Sequence, residues 1–365
     1  MAYTTIDDPS AQHQTLLYSG NNDGGGQTHT NTGNSDLQPD WMWIKHRTSA
    51  SFNHYMVDSS RGENNSVHVR LVPNGLQSEA DGYTHNFATD GWESANNNAT
   101  VNGSATYAAW QWKCNGGTTA SNSNGSITST VQANTTAGFS IVLWTGNGSD
   151  ATIGHGLSSA PEMYVVKNRS DSADWRVGQT VAGNTMTAGR GYYMEWNDNK
   201  ASTNPGSNVT WGSTPTAPTS SVFTVGSNNA HNGNGDSFVA YCFHSVQGYS
   251  KIGEYIGNGS NDGPFIYTGF KPAWLLIKET GNANEWRLFD NKRNAHNPVT
   301  THFETDTAGA ETDGGTTHNQ FNFLSNGLKI RTDNAGCNRD GGSYFYMTFA
   351  EHPFVSSEGV PVTAR

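Results

Sequence analysis

Charge is scarce in this 365-residue sequence, where only 14% of residues are Asp, Glu, Lys or Arg. Apolar residues are scarce too, at 33%. Both shares are low for a globular enzyme. The 20 Lys and Arg are scattered, and 31 acidic residues leave a net charge of −11. Nucleic-acid affinity rests on clustered phosphate contacts, so that partner is not expected. No apolar run reaches the ~18 residues of a membrane-spanning helix, and no membrane insertion is expected. The opening MAYTTIDDPSAQHQ lacks a basic stretch followed by an apolar one, so no secretory signal is expected. Cysteine is sparse. Cys114, Cys242 and Cys337 are far apart and form neither a disulfide framework nor a zinc motif. They read as free thiols of a protein made in a reducing cytosol.

What fills the remainder is Gly, Asn, Ser and Thr. Disorder is one reading of such a composition, but disorder goes with few aromatics. Here aromatics are 11%, with 11 Trp, 14 Tyr and 15 Phe. Rings of that size bury much area each. The composition therefore predicts small aromatic cores joined by long polar loops.

Three phrases each occur three times, in the same order. Tyr18-Ser-Gly20-Asn21, Trp144-Thr-Gly146-Asn147 and Tyr255-Ile-Gly257-Asn258 each follow a short apolar run. Next come Pro39-Asp-Trp41-Met-Trp43-Ile44-Lys45, Pro161-Glu-Met163-Tyr-Val165-Val166-Lys167 and Pro272-Ala-Trp274-Leu-Leu276-Ile277-Lys278. Proline to lysine is six residues every time. The closing phrases are Tyr107-Ala-Ala-Trp110-Gln-Trp112, Phe238-Val-Ala-Tyr241-Cys-Phe243 and Tyr344-Phe-Tyr-Met347-Thr-Phe349. Copies one and three also share Asp58-Ser-Ser-Arg61 and Asp290-Asn-Lys-Arg293, where copy two has Trp175-Arg176-Val177-Gly178 instead and is the divergent one.

The phrases read as strands. WMWIK alternates Trp41, Trp43 and Lys45 with Met42 and Ile44, and both faces are apolar, as in a sandwich. Asn-Gly, Asp-Gly and Gly-Gly breaks favour short antiparallel strands. The predicted fold is all-β, with three tandem β-sandwich domains of jelly-roll or lectin-like type. The predicted layout is an N-terminal docking arm (1–13), repeat one (14–114), a polar linker (115–136) with one strand expected in SITSTVQAN, divergent repeat two (137–247), repeat three (248–354) and a C-terminal tail (355–365). The short second junction predicts that copies two and three are more fixed to each other than copies one and two.

No catalytic motif stands out, and no cofactor or metal is expected. Gly257-Asn-Gly259-Ser-Asn-Asp-Gly263 has the wrong spacing for a dinucleotide fingerprint and reads as a turn. Asp58, Asp90, Glu93 and Asp290 are the acids a glycoside hydrolase would need to pair. Asp58 with Arg61 and Asp290 with Arg293 read as local ion pairs that order a loop. Lys45, Lys167 and Lys278 read as strand ends whose heads reach water. Most Trp residues lie on strand patterns and belong to cores. Trp92, Trp196 and Trp211 sit in polar surroundings and are the candidates for stacking on a glycan.

MAYTTIDDPSAQHQTLLYSGN, LQPDWMWIKHR, VDSSRG, YAAWQWKCNGG, GSITSTVQANTTAGFSIV and GPFIYTGFKPAWLLIK together resemble repeat-containing virion proteins, tail-fibre-like, of tailed phages of marine and aquatic bacteria. The resemblance covers nearly the whole chain. It implies a non-enzymatic virion structural role, other virion proteins as partners and a homo-oligomer, with a trimer expected from fibre symmetry. It carries no established binding or catalytic residue. The leading expectation is a tail-fibre or adhesin subunit that contacts a host surface glycan. A head-surface or tail decoration protein is the alternative, and a polysaccharide depolymerase a lesser one.

Overall fold

The Pro-to-Lys strands have no solvent face. In the computed structural model of the chain, which describes residues 2–183, 185–187, 190–204, 210–315 and 320–362, the strands Trp41–His46 and Met163–Asn168 are buried along their whole length. Their counterpart Phe270–Glu279 is buried from Trp274 onward. The alternation explains why. Trp41, Trp43, Met163, Val165, Trp274 and Leu276 all point into one cluster shared by the three copies. The residues between them point the other way, into three separate cores. Met42 and Ile44 enter one, Tyr164 and Val166 the second, Leu275 and Ile277 the third.

Each copy is thus a two-layer sandwich, and the whole described chain is all-β with several antiparallel sheets. The larger sheet of each copy has the same order: leading strand, closing strand, Pro-to-Lys strand, then a short fourth strand. In copy one these are His13–Ser19, Thr106–Trp112, Trp41–His46 and Tyr55–Asp58. In copy two they are Phe139–Thr145, Ser237–Phe243, Met163–Asn168 and Arg176–Gln179. In copy three they are Ser250–Ile256, Ser343–Pro353, Phe270–Glu279 and Arg287–Asp290. A small sheet of two or three strands covers the outer face of each. Pro272 lies inside its strand, at a register shift that accommodates the missing N–H.

The three larger sheets turn their second faces to one another and close around the shared aromatic core. Trp41 meets Tyr241 of copy two at 5.1 Å, Trp112 meets Trp274 of copy three at 5.4 Å, and Phe243 meets Phe349 at 6.3 Å between centroids. The order of the copies around the core gives an internal pseudo-threefold arrangement. Separate domains on linkers, as the sequence layout implied, are not what forms. Rings this large on the inner face of each sheet need a partner surface, and the sister copies supply it.

The expected linker is part of copy two. Ser129–Asn134 pairs antiparallel with the leading strand Phe139–Thr145, and Ala120–Asn122 pairs with Ser129–Asn134 in turn. The single strand expected in SITSTVQAN is therefore present, but as a structural strand with a second one beside it. Its polar residues hid its burial: Gln132 is fully buried. Copies one and two are consequently joined through a packed strand rather than a free linker, so the expected looser relation between them has no linker to arise from.

The expected N-terminal docking arm lies against its own chain. Thr4 and Ile6 are buried, the Tyr3 hydroxyl donates to the Gly269 carbonyl at 2.9 Å, and Asp7 accepts the Ser357 N–H at 2.6 Å. The two chain ends therefore meet on copy three. Residues 363–365 of the expected tail lie outside the described residues.

The Gly-Asn phrase has one reason in all copies. Asn21 and Asn102, Asn147 and Asn232, and Asn258 and Asn338 form reciprocal pairs, each first Asn receiving on its side chain an amide hydrogen of the second. The backbone N–H of Asn21, Asn147 and Asn258 returns to that second side chain. A Cβ on Gly20, Gly146 or Gly257 would sit 2.1, 2.1 or 2.2 Å from a backbone carbonyl oxygen, so only glycine permits the approach.

Candidate functional site

The copies meet at three seams, and each seam is built from the end of the fourth strand. One backbone bond repeats at all three. Glu79 N–H donates to Arg169 O (2.9 Å), Glu311 N–H to Arg47 O (2.7 Å) and Ser202 N–H to Thr280 O (2.8 Å). These join copy one to two, three to one and two to three.

Two seams carry charge. Between copies one and two, Asp58 accepts Arg61 Nε at 2.5 Å and the Tyr241 hydroxyl of copy two at 2.6 Å. Its other oxygen accepts the Ser60 and Arg61 N–H groups. Burial alone would raise the Asp58 pKa, but the Arg61 charge and the bonds from Arg61 and Tyr241 outweigh it and hold it low. Arg61 then reaches Glu79, which Arg169 of copy two grips with two bonds of 2.9 and 2.8 Å. Between copies three and one the pattern recurs. Asp290 accepts Arg293 Nε at 2.6 Å and the Trp110 indole N–H of copy one at 3.0 Å. Arg47 of copy one grips Glu311 at 2.9 and 2.8 Å.

The third seam has none of these groups. Register places Gln179 opposite Met163 where Asp58 stands opposite Trp41 and Asp290 opposite Trp274. Ala182 takes the place of Arg61 and Arg293, Ser202 of Glu79 and Glu311, Thr280 of Arg47 and Arg169, and Met347 of Trp110 and Tyr241. Carboxylate, guanidinium and donor disappear together. A lone survivor would be a buried unpaired charge, which costs several kcal/mol.

The repeated lysines staple loops. Lys45 Nζ donates to His46 O and Ser49 O, Lys167 Nζ to Leu76 O of copy one and to Ala173 O, and Lys278 Nζ to Glu279 O and Asn282 O. All three residues are fully buried, and burial lowers each pKa to about 8. They do not reach water as expected, because a loop folds over each strand end and its backbone carbonyls take the ammonium hydrogens.

On the outer surface, large apolar side chains are exposed mainly on copy three. Phe265 (47%) and Tyr267 (54%) share one face of the edge strand Phe265–Tyr267, and Ile256 is also exposed. At the matching positions copy one carries Thr28 and Thr30, and copy two Thr152 and Gly154. The Phe265 ring lies over Gly327, and the Tyr267 hydroxyl meets that of Tyr3 at 3.2 Å. The three rings make a ledge open to solvent.

One family model spans residues 8–353, from the turn before the first leading strand to the end of the last closing strand. The chain belongs to the DUF7483 family. That family is described as a domain of unknown function. Its span treats the three copies as one unit, as the shared core does. Among curated proteins, none matches the chain.

In this DUF7483 chain the tryptophans singled out from the sequence are all fully buried. Trp92 stacks on His29 at 4.0 Å inside the outer core of copy one. Trp196 lies in the shared core, against Trp43 at 5.3 Å and Trp286 at 6.1 Å. Trp211 packs on Tyr164 at 4.9 Å and donates to the Tyr192 carbonyl. None offers a face to a sugar. Their polar sequence neighbours are loops that fold over them. The acids are also dispersed: Asp58 and Asp290 serve different seams, Asp90 accepts the Leu37 N–H and Glu93 accepts from Asn86. The expected Asp58–Arg61 and Asp290–Arg293 pairs do form, and they do more than order a loop. Phe265 and Tyr267 were missed, although the alternation in GPFIYTG, with Ile266 inward, was the signal that could have found them.

Proposed function

We propose that this chain is a non-enzymatic phage virion structural protein, a tail-fibre or adhesin subunit that contacts the host surface. The supporting observation is the closure of three copies around one aromatic core. That arrangement buries every large sheet face, leaves a polar loop-rich exterior and concentrates exposed aromatics on the Tyr3, Phe265 and Tyr267 ledge. Flat exposed rings suit the C–H face of a pyranose, and an exposed aromatic patch on an otherwise polar surface marks a contact site. In this reading the partners are other virion proteins, a host surface glycan and further copies of the chain, with a trimer as the expected assembly.

Binding to intact host cells and to a glycan array tests the adhesin reading. Wild-type protein is expected to bind, and the Phe265→Ala/Tyr267→Ala double variant to lose at least tenfold while keeping its melting transition. Equal binding by both, or none by either, overturns it.

The pseudo-threefold gives the decoration reading its own support, since one chain supplies the symmetry of a threefold lattice position. Imaging the virion with the subunit located separates the two: a capsid-lattice position removes the tail-fibre reading.

A further inference from the structure

Each copy reaches across a seam with one ring, carried by the residue just before its fourth strand. Register makes His54, Trp175 and Trp286 equivalent, one position ahead of Tyr55, Arg176 and Arg287. The Trp175 indole donates to the Val72 and Gly75 carbonyls of copy one at 3.0 and 3.2 Å. The Trp286 indole donates to the Glu195 carbonyl of copy two at 2.8 Å and stacks on Trp196. His54 packs edge-on against Phe303 of copy three at 5.9 Å.

One side chain anchors the backbone beneath each ring. Asn74 accepts the His54 N–H at 2.9 Å, Asn197 the Trp175 N–H at 2.7 Å and Asp306 the Trp286 N–H at 3.0 Å. The two asparagines still have an amide group to give. Asn74 donates to Asn53 at 2.8 Å, and Asn197 to Asp174 at 3.0 Å. Asn53 and Asp174 directly precede the ring residues, and Glu285 holds that place in copy three. Asp306 has no amide hydrogen for it. Only the acid form of Asp306 carries a hydrogen, and its ionised form sets a second carboxylate near Glu285.

The surrounding charges do not relieve that conflict. Glu304, from the strand Thr301–Glu304, adds a third carboxylate. Arg287 pairs with Glu285 and Glu304 at 3.5 and 3.9 Å. Lys278 lies within the field of Asp306, but its ammonium donates to the Glu279 and Asn282 carbonyls. From copy two, Asp198 is paired with Lys200 at 2.7 Å, and Glu195 with Arg176 and Lys200. Burial raises the Asp306 carboxyl to about 7; the bond from Trp286 opposes this, and Glu285 and Glu304 add to it. The seam that Trp286 spans is also the one without an Asp–Arg pair.

We propose that Asp306 is a protonation latch on the seam between copies two and three. Its acid form takes the part of the sister asparagines and holds Trp286 across the seam. Its ionised form is disfavoured in the closed seam by burial and by Glu285 and Glu304, and the seam loosens. An acid that is harder to ionise when closed favours opening as pH rises from about 4 to 7. The seam spanned by Trp175 keeps a neutral asparagine anchor and does not respond over that range. The latch goes beyond the virion reading and does not rest on it.

Indole hydrogen exchange, read by NMR on the full chain with isotope-labelled tryptophan, tests it. Trp175 is the internal reference, because intrinsic exchange chemistry and global unfolding act on both rings alike. The ratio of Trp286 to Trp175 exchange is expected to rise about tenfold between about pH 5.5 and 8. Asp306→Asn is expected to hold the ratio low and flat. Glu285→Gln removes one facing charge and supplies an amide hydrogen, and is expected to end the rise at lower pH. A flat ratio in the wild-type protein overturns the proposal. So does a rise that survives Asp306→Asn, or one that Glu285→Gln leaves in place.

Discussion

At the scale of single residues, the seams show how a buried charge is tolerated. Asp58 satisfies an arginine, a tyrosine of the next copy and two backbone N–H groups at once. Asp58→Asn would leave the buried Arg61 with only Glu79, which it shares with Arg169, as counter-charge, and should cost about 3 kcal/mol in urea unfolding. The third seam supplies the control. Asp58→Gln, Arg61→Ala and Tyr241→Met together rebuild the neutral arrangement of Gln179, Ala182 and Met347 at that position. The triple variant should recover most of the loss, although the single change does not. If the triple variant is less stable than Asp58→Asn, the equivalence drawn between the seams is wrong. The sequence made the Asp–Arg pairs legible because they are three residues apart. It could not reveal Tyr241 or Trp110 as their partners, since these lie 183 and 180 residues away.

At the scale of elements, period-two alternation identified the repeated strands, and the structure contains every one of them. What alternation could not report is which apolar face meets a copy's own small sheet and which meets the sister copies. Both faces read as core, and both are. Composition misled in Asn115–Ala137, where Ser, Thr, Asn and Gln suggested a linker. A strand can be polar and buried if its side chains have partners, and Gln132 has them on both sides of the seam. Gln132→Ala should therefore cost about 1–3 kcal/mol by chemical denaturation, an effect out of scale for a linker residue. A loss below a few tenths would show that those bonds are dispensable.

At the scale of the whole molecule, folding buries many histidines as neutral rings. His13 and His231 are lowered to about 3, and His29 and His302 to about 4, in each case first by desolvation. Their unfolded value is near 6.5, so unfolding below that pH takes up protons. Their stabilising contribution is thus whole above about pH 6.5 and is lost as pH falls toward 4. Asp306 works in the opposite sense: burial raises it to about 7, so it releases a proton on unfolding between about pH 4 and 7 and offsets one histidine. For these five groups the balance is an uptake near three protons at pH 5, a slope of up to about 4 kcal/mol per pH unit, and His54, lowered by the same desolvation, adds in the same sense. Urea midpoints measured from about pH 6.5 down to 5 should fall steeply. A flat profile would sink this account. The three lysines, lowered to about 8, act likewise at higher pH, where unfolding again takes up protons and stability rises toward pH 10.

The sequence by itself determined the copy number, the strands and the all-β class, because those follow from periodicity and from the local rules of proline, glycine and alternation. Only the tertiary structure decided that the copies close on one another. It also decided that Trp196 is core rather than platform, that the lysines are buried, and that Trp286 spans a seam. The closure, the place of Trp196 and the span of Trp286 depend on what another copy brings to the same point in space, and so does Lys167, which bonds Leu76 of copy one, whereas Lys45 and Lys278 are covered by the loops that follow their own strands. Local patterning carries no record of that.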